Sequence, residues 1–104
     1  MPSRGLRQAA ITATASGDTT VVTGVTDEKV RVYGITLVCS AAVNVALKSG
    51  ASTIKIAAMG FPANGGMSVN TFPGIFMETD ASGNLVINLS ATANVYGSVT
   101  YELL

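Results

Sequence analysis

Apolar residues recur at every second position in a series of short runs, the spacing of strands that bury one face. Val43, Val45 and Leu47 alternate with Asn44, Ala46 and Lys48, and Leu85, Ile87 and Leu89 with Val86, Asn88 and Ser90. Near the end, Val95, Gly97, Val99, Tyr101 and Leu103 alternate with Tyr96, Ser98, Thr100 and Glu102. The longest run, Lys29 to Ala41, puts Val30 and Val32 on one face and Tyr33, Ile35, Leu37 and Cys39 on the other. It reads as a central strand covered on both sides, with Gly34 permitting a bulge or a close approach. Ser52 to Met59 is predicted to turn Ile54 and Ile56 inward and Thr53 and Lys55 outward. With Gln8 to Thr14, Asp18 to Val25 and Gly74 to Thr79, about eight short strands result, separated by turn signals. The expected fold is all-β: a single antiparallel β-sandwich or jelly-roll over residues 8–104, preceded by an extended N-terminal arm over residues 1–7.

The turn residues carry the only regularity that resembles a repeat. Ser-Gly pairs stand at Ser16-Gly17, Ser49-Gly50 and Ser82-Gly83, 33 residues apart each time, and a strand follows each. The residues between them do not match, so hairpin turns with a positive φ at Gly are a better reading than a solenoid. One long segment, Gly60 to Gly74, breaks the alternation with Pro62, Pro73 and four Gly. It reads as an irregular loop in which Phe61, Met67 and Phe72 either close an end of the sandwich or form an intersubunit or docking contact.

Composition changes this picture mainly through what is missing. Only 12% of the 104 residues are charged, about half the usual share, while 21 are Ser or Thr and six are Asn. A surface of this kind loses little hydration when another subunit covers it, so an assembly component is expected. With no His, no Trp and only Cys39, the chain lacks the means for Ser-His-Asp or Cys-His catalysis, for His- or Cys-rich metal sites and for an intrachain disulfide. An enzyme is therefore not expected, nor a cofactor or bound metal. The net charge of zero argues against nucleic acid or an anionic membrane as a partner. All six bases lie within the first 55 residues, which carry +3, and the rest carry −3. This is either chance or a sign that surfaces of opposite charge meet, within one fold or between copies.

Candidate chemistry is sparse. Glu78 and Asp80, two positions apart, share a strand face, and Asp80 to Asn84 reads as a turn with Asx capping, not as a calcium loop. Lys29, Arg31 and Tyr33 read as a solvated strand face and fall short of a single-strand platform for nucleic acid. Residues 8–12 are too short and polar for the apolar part of an export signal, so synthesis in a cytoplasm is expected, with Cys39 a buried thiol.

The blocks GDTTVVTGV (17–25), KVRVYGITLVCSAAVNVALKSG (29–50), FMET (76–79) and GNLVINLSATANVYGSVTYELL (83–104) resemble a family of small virion proteins of tailed bacteriophages. The resemblance implies a β-sandwich or jelly-roll of the phage particle, made in the host bacterial cytoplasm. It further implies a capsid decoration, or cement, protein on the capsid exterior. Its partners would be the major capsid protein and further copies of itself, as a homotrimer about a local symmetry axis. An arm that adds a strand to a capsid loop would supply main-chain hydrogen bonds, so Arg4, Leu6, Arg7 and Ile11 are the expected capsid contacts. The alternatives are a tail, fibre or head–tail joining module, including one that binds glycans. A glycan platform would draw on Tyr33, Tyr96 and Tyr101, with Tyr101 expected inward.

Overall fold

The computed structural model of the chain describes residues 5–104. Among these are nine strands, β1 (Arg7–Ala13), β2 (Gly17–Val22), β3 (Val30–Cys39), β4 (Val43–Ser49), β5 (Thr53–Phe61), β6 (Gly66–Asn70), β7 (Met77–Glu78), β8 (Leu85–Leu89) and β9 (Val95–Leu103). All pair antiparallel, in two sheets. Sheet A has the order β1-β9-β3-β6, with the short β7 also on β3, and sheet B the order β2-β8-β4-β5. Consecutive strands β1/β2, β3/β4 and β5/β6 thus cross between sheets and occupy corresponding positions in them. That is the connectivity of a jelly-roll, formed by the eight longer strands.

The alternating residues of both sheets meet in one core. Ile11 and Ala13 of β1, Val45 and Leu47 of β4, Leu85, Ile87 and Leu89 of β8, and Val95 and Val99 of β9 are all buried within it. Burying each such branched side chain contributes about 1.5–3 kcal/mol relative to exposure. The sequence pattern of β3 would leave this core half empty, because it divides Val30 and Val32 from Ile35, Leu37 and Cys39. A β-bulge restores it. The register against β9 slips between Val32 and Gly34, so Tyr33 is the extra residue and all five apolar residues face inward. The other face of β3 is open beyond Gly34, where Val38 is 53% exposed, so this central strand is covered on one side only.

Bulges also alter the expected pattern of β5. Leu47 pairs with Ile56 but Lys48 with Ile54, leaving Lys55 as an extra residue. Ile54 consequently faces solvent and is 63% exposed, contrary to the strict alternation. The segment 60–74 is not one loop. It contains the end of β5, a four-residue turn and β6, whose Met67 and Val69 pack against the core.

β6 and β7 lie one after the other along the same edge of β3, since β9 occupies the other edge. Between them, residues 71–76 loop outward around the Tyr33 bulge. The loop is anchored by hydrogen bonds from Thr71 N to Tyr33 O and from Phe76 N to Val32 O, both 2.8 Å. At two Ser-Gly turns the glycine has positive φ, 94° at Gly17 and 66° at Gly50, as expected. At the third the left-handed residue is Ser82, with φ 65°. Gly83 is required there for another reason: a Cβ on it would lie 2.6 Å from Ser49 Oγ.

Candidate functional site

The charges separated along the chain come together within the fold. Glu78 Oε2 accepts from Arg31 Nε at 2.6 Å, and Glu78 Oε1 lies 3.6 Å from Lys29 Nζ. Asp80 faces the other way and pairs with Lys55 of sheet B at 3.0 Å, so the two carboxylates do not share a site. Glu102 accepts from the Tyr33 hydroxyl at 2.7 Å. That bond raises the Tyr33 pKa, with burial acting in the same direction, and the bond to Glu78 raises that of Arg31. On sheet B the Lys48 ammonium crosses β8 to reach both Asp18 oxygens at 3.0 Å, and Asn88 Nδ2 donates to Asp18 at 2.7 Å. Asn88 and then Lys48 hold the Asp18 carboxyl below its ordinary value. Val86, paired opposite Lys48, is only 4% exposed although it lies on the outer face.

The strand registers gather most of the exposed large apolar residues at one end of the sandwich. The start of β1, the start of β5 and the end of β6 all lie there. Leu6, Ile54, Phe72 and Ile75 belong to this end and are each at least half exposed. The Phe72 ring packs edge-on against Tyr33 at 5.2 Å between centroids, so it is held in place while most of its surface faces water. Isolated exposed apolar residues are ordinary, but four at one end, spread over both sheets, make that end a candidate docking surface.

The outer face of sheet A forms a second distinct surface. Across β1, β9, β3 and β6, three successive rows read Thr12-Tyr96-Val38-Gly66, Ala10-Ser98-Thr36-Ser68 and Gln8-Thr100-Gly34-Asn70. None of the twelve is charged. Because Gly34 has no side chain, the face is notched there, forming an open cavity of about 250 Å³. Among the described residues no three His, Cys, Asp or Glu side chains converge to hold a metal ion.

The residues singled out from sequence fare differently. Arg4 lies outside the described residues. Leu6 and Arg7 are exposed at the apolar end, with Arg7 already the first residue of β1. Ile11 is 1% exposed and belongs to the core, because β1 alternates and Ile11 shares its inner face with Ala13. Its side chain is not available to a partner. Phe61 and Met67 are partly buried against the core, at the end of the sandwich opposite Phe72, so of those three only Phe72 is largely exposed. Ile54 and Ile75 were missed. Ile54 is turned outward by a bulge that has no local signal, and Ile75 lies in a stretch expected to be strand. Of the tyrosines, Tyr33 is buried, Tyr101 packs inward as expected, and Tyr96 is half exposed.

No protein-family model matches the chain, and no curated protein matches it in sequence. Among solved structures, it is similar to a chain of the structure described as the capsid asymmetric unit of cyanophage Pam1. The TM-score is 0.51 at 17% identity, covering 98% of this chain and 90% of that one. A second match, to the virus-like particle of the extra small virus of the prawn Macrobrachium rosenbergii, has a TM-score of 0.36 at 13% identity, covering 97% and 78%. The first likeness establishes a shared β-sandwich fold across nearly the whole chain.

Proposed function

We propose that this chain is a structural protein of a tailed-phage virion that decorates the outer capsid surface and stabilises the head. The observation that carries the reading is the apolar end formed by Leu6, Ile54, Phe72 and Ile75 on an otherwise sparsely charged jelly-roll. A small domain with several large apolar side chains exposed at one end is suited to binding a large surface at many equivalent sites. The fold it shares with a chain from a phage capsid structure supports the same reading. In this proposal the partner is the major capsid protein, and the residues ahead of β1 extend the contact from the apolar end as an arm, with Arg4, Leu6 and, at the start of β1, Arg7 against the capsid. Three copies about a local symmetry axis would multiply a modest contact through avidity.

The test uses particles from a phage that lacks the gene. Purified protein is added back and the particles are imaged by electron cryomicroscopy. Density for trimers on the head exterior, with the apolar end toward the shell, is the expected result. Density confined to the tail, a fibre or the head–tail joint would overturn the decoration role.

A further inference from the structure

We infer that the notch at Gly34, on the outer face of sheet A, is a binding site for a neutral carbohydrate, one pyranose ring in size. The inference concerns a surface away from the apolar end and does not rest on capsid attachment.

The notch originates in the backbone. The bulge at Tyr33 puts Gly34 on the outer face, where every neighbour in its row and the next carries a polar or small side chain. A Cβ on Gly34 would stand 3.0 Å from Val69 O and 3.6 Å from Asn70 Cα, so a larger residue would fill the space or push β6 aside. Around this floor stand Gln8, Thr36, Ser68, Asn70, Ser98 and Thr100. They come from four adjacent strands, so sheet hydrogen bonding fixes their spacing, as a preorganised site requires.

The chemistry of the lining selects the ligand. It contains hydroxyls and carboxamides and no ionisable group, so no fixed charge is present to hold a phosphate, a carboxylate or a cation. The carboxylates of the row beyond Gly34 are engaged, Glu78 with Arg31 and Lys29 and Glu102 with the Tyr33 hydroxyl. Large apolar side chains are absent from the inner two rows, which disfavours an apolar ligand. What fits is a neutral molecule bearing several closely spaced hydroxyls that both donate and accept. The lining offers both. Asn70 Oδ1 accepts from Phe72 N at 3.1 Å, which orients its amide and leaves the Nδ2 hydrogens as donors. Thr36 Oγ1 and Ser68 Oγ are 3.1 Å apart, and whichever one donates, the pair keeps one hydroxyl hydrogen free. In the row beyond Thr36 and Ser68, two rows from Gly34, the half-exposed Tyr96 offers an aromatic face for the C–H side of a second sugar unit.

The test is an NMR titration of the full chain with D-glucose, D-galactose, D-mannose and N-acetyl-D-glucosamine, each up to tens of millimolar. N-acetylneuraminic acid serves as the anionic control, and a neutral polysaccharide such as dextran distinguishes a polymer end or chain from a free sugar. Weak binding is expected, with amide shifts confined to Gly34, Thr36, Ser68, Asn70 and Ser98. Thr36→Val and Thr100→Val keep side-chain shape and strand preference while removing one hydroxyl each, and each is expected to weaken binding roughly fivefold or more. Preserved far-UV circular dichroism and amide dispersion would show that both variants fold. The inference is overturned if none of the neutral sugars perturbs the notch, if shifts fall elsewhere, if only the anionic sugar binds, or if both folded variants bind as the parent does.

Discussion

Thr79 offers the sharpest test of how the fold is held together, because one hydroxyl replaces a backbone group there. Beyond β7, Thr79 N donates to Val30 O at 2.9 Å, continuing the ladder, but Val30 N donates to Thr79 Oγ1, also at 2.9 Å, and not to a carbonyl. Val30 is fully buried and Thr79 is 2% exposed, so water cannot substitute for the lost acceptor. Thr79→Val keeps the shape of the side chain and removes this acceptor. Leaving a buried N–H unsatisfied costs about 1–3 kcal/mol. The second bond of the hydroxyl, to Asp80 O at 3.1 Å, adds little because that carbonyl also accepts from Gly83 N at 2.9 Å. The extra methyl recovers at most about 0.8 kcal/mol, so a net loss near 1.5 kcal/mol is expected. For a domain of this size that lowers Tm by about 6–12 °C. Thr79→Ser retains the acceptor and loses one methyl, and should cost less than Thr79→Val. Urea and thermal unfolding followed by circular dichroism give both values, and hydrogen exchange at the Val30 amide reports the bond directly. If Thr79→Val unfolds within about 0.5 kcal/mol of the parent, or is the milder of the two, the reasoning fails.

Three further outcomes are expected. Asp18 is held below its ordinary pKa in the folded chain, so the stability it contributes is present above the unfolded value of 3.8 and is lost as pH falls through the folded one. Because the pair is partly exposed, the effect should stay below about 1 kcal/mol, and Asp18→Asn should flatten the acid limb of a stability–pH curve by that amount. Burial raises the pKa of the Cys39 thiol, so native protein at neutral pH should react with Ellman's reagent no faster than it opens, and rapid reaction would contradict that burial. Phe72→Ser should leave the fold within about 1.5 kcal/mol of the parent, the scale of its edge-on contact with Tyr33, while reducing binding to undecorated heads at least tenfold. Unchanged occupancy on the particle would remove the apolar end from the proposed interface.

The alternating pattern made most of the sandwich legible because a strand with one buried face must repeat every two residues. β4, β8 and β9 follow that rule in both sequence and structure, as do the inward Val45, Ile87 and Val99. The rule fails where a bulge inserts an extra residue. Tyr33 in β3 and Lys55 in β5 each shift the parity of their strand, which rescues Ile35, Leu37 and Cys39 for the core and expels Ile54 to the surface. β6 was hidden for a different reason. It is short and flanked by Gly and Pro, and it forms only because the free edge of β3 offers it hydrogen-bonding partners.

What the sequence determined by itself is the fold class and the scarcity of chemistry, since both follow from local periodicity and from residues that are present or absent. It also limited the charge to twelve groups without saying where they would meet. Tertiary structure decided the rest. The jelly-roll order brings Glu78 and Asp80 to bases from the first half of the chain, so that the separation of charge along the sequence becomes pairing within one molecule. It carries Leu6, Ile54, Phe72 and Ile75 to one end, and lines up three uncharged rows from four strands that are far apart in sequence. Surfaces of this kind depend on register and sheet order, which are set by contacts between distant segments and have no signature in any one of them.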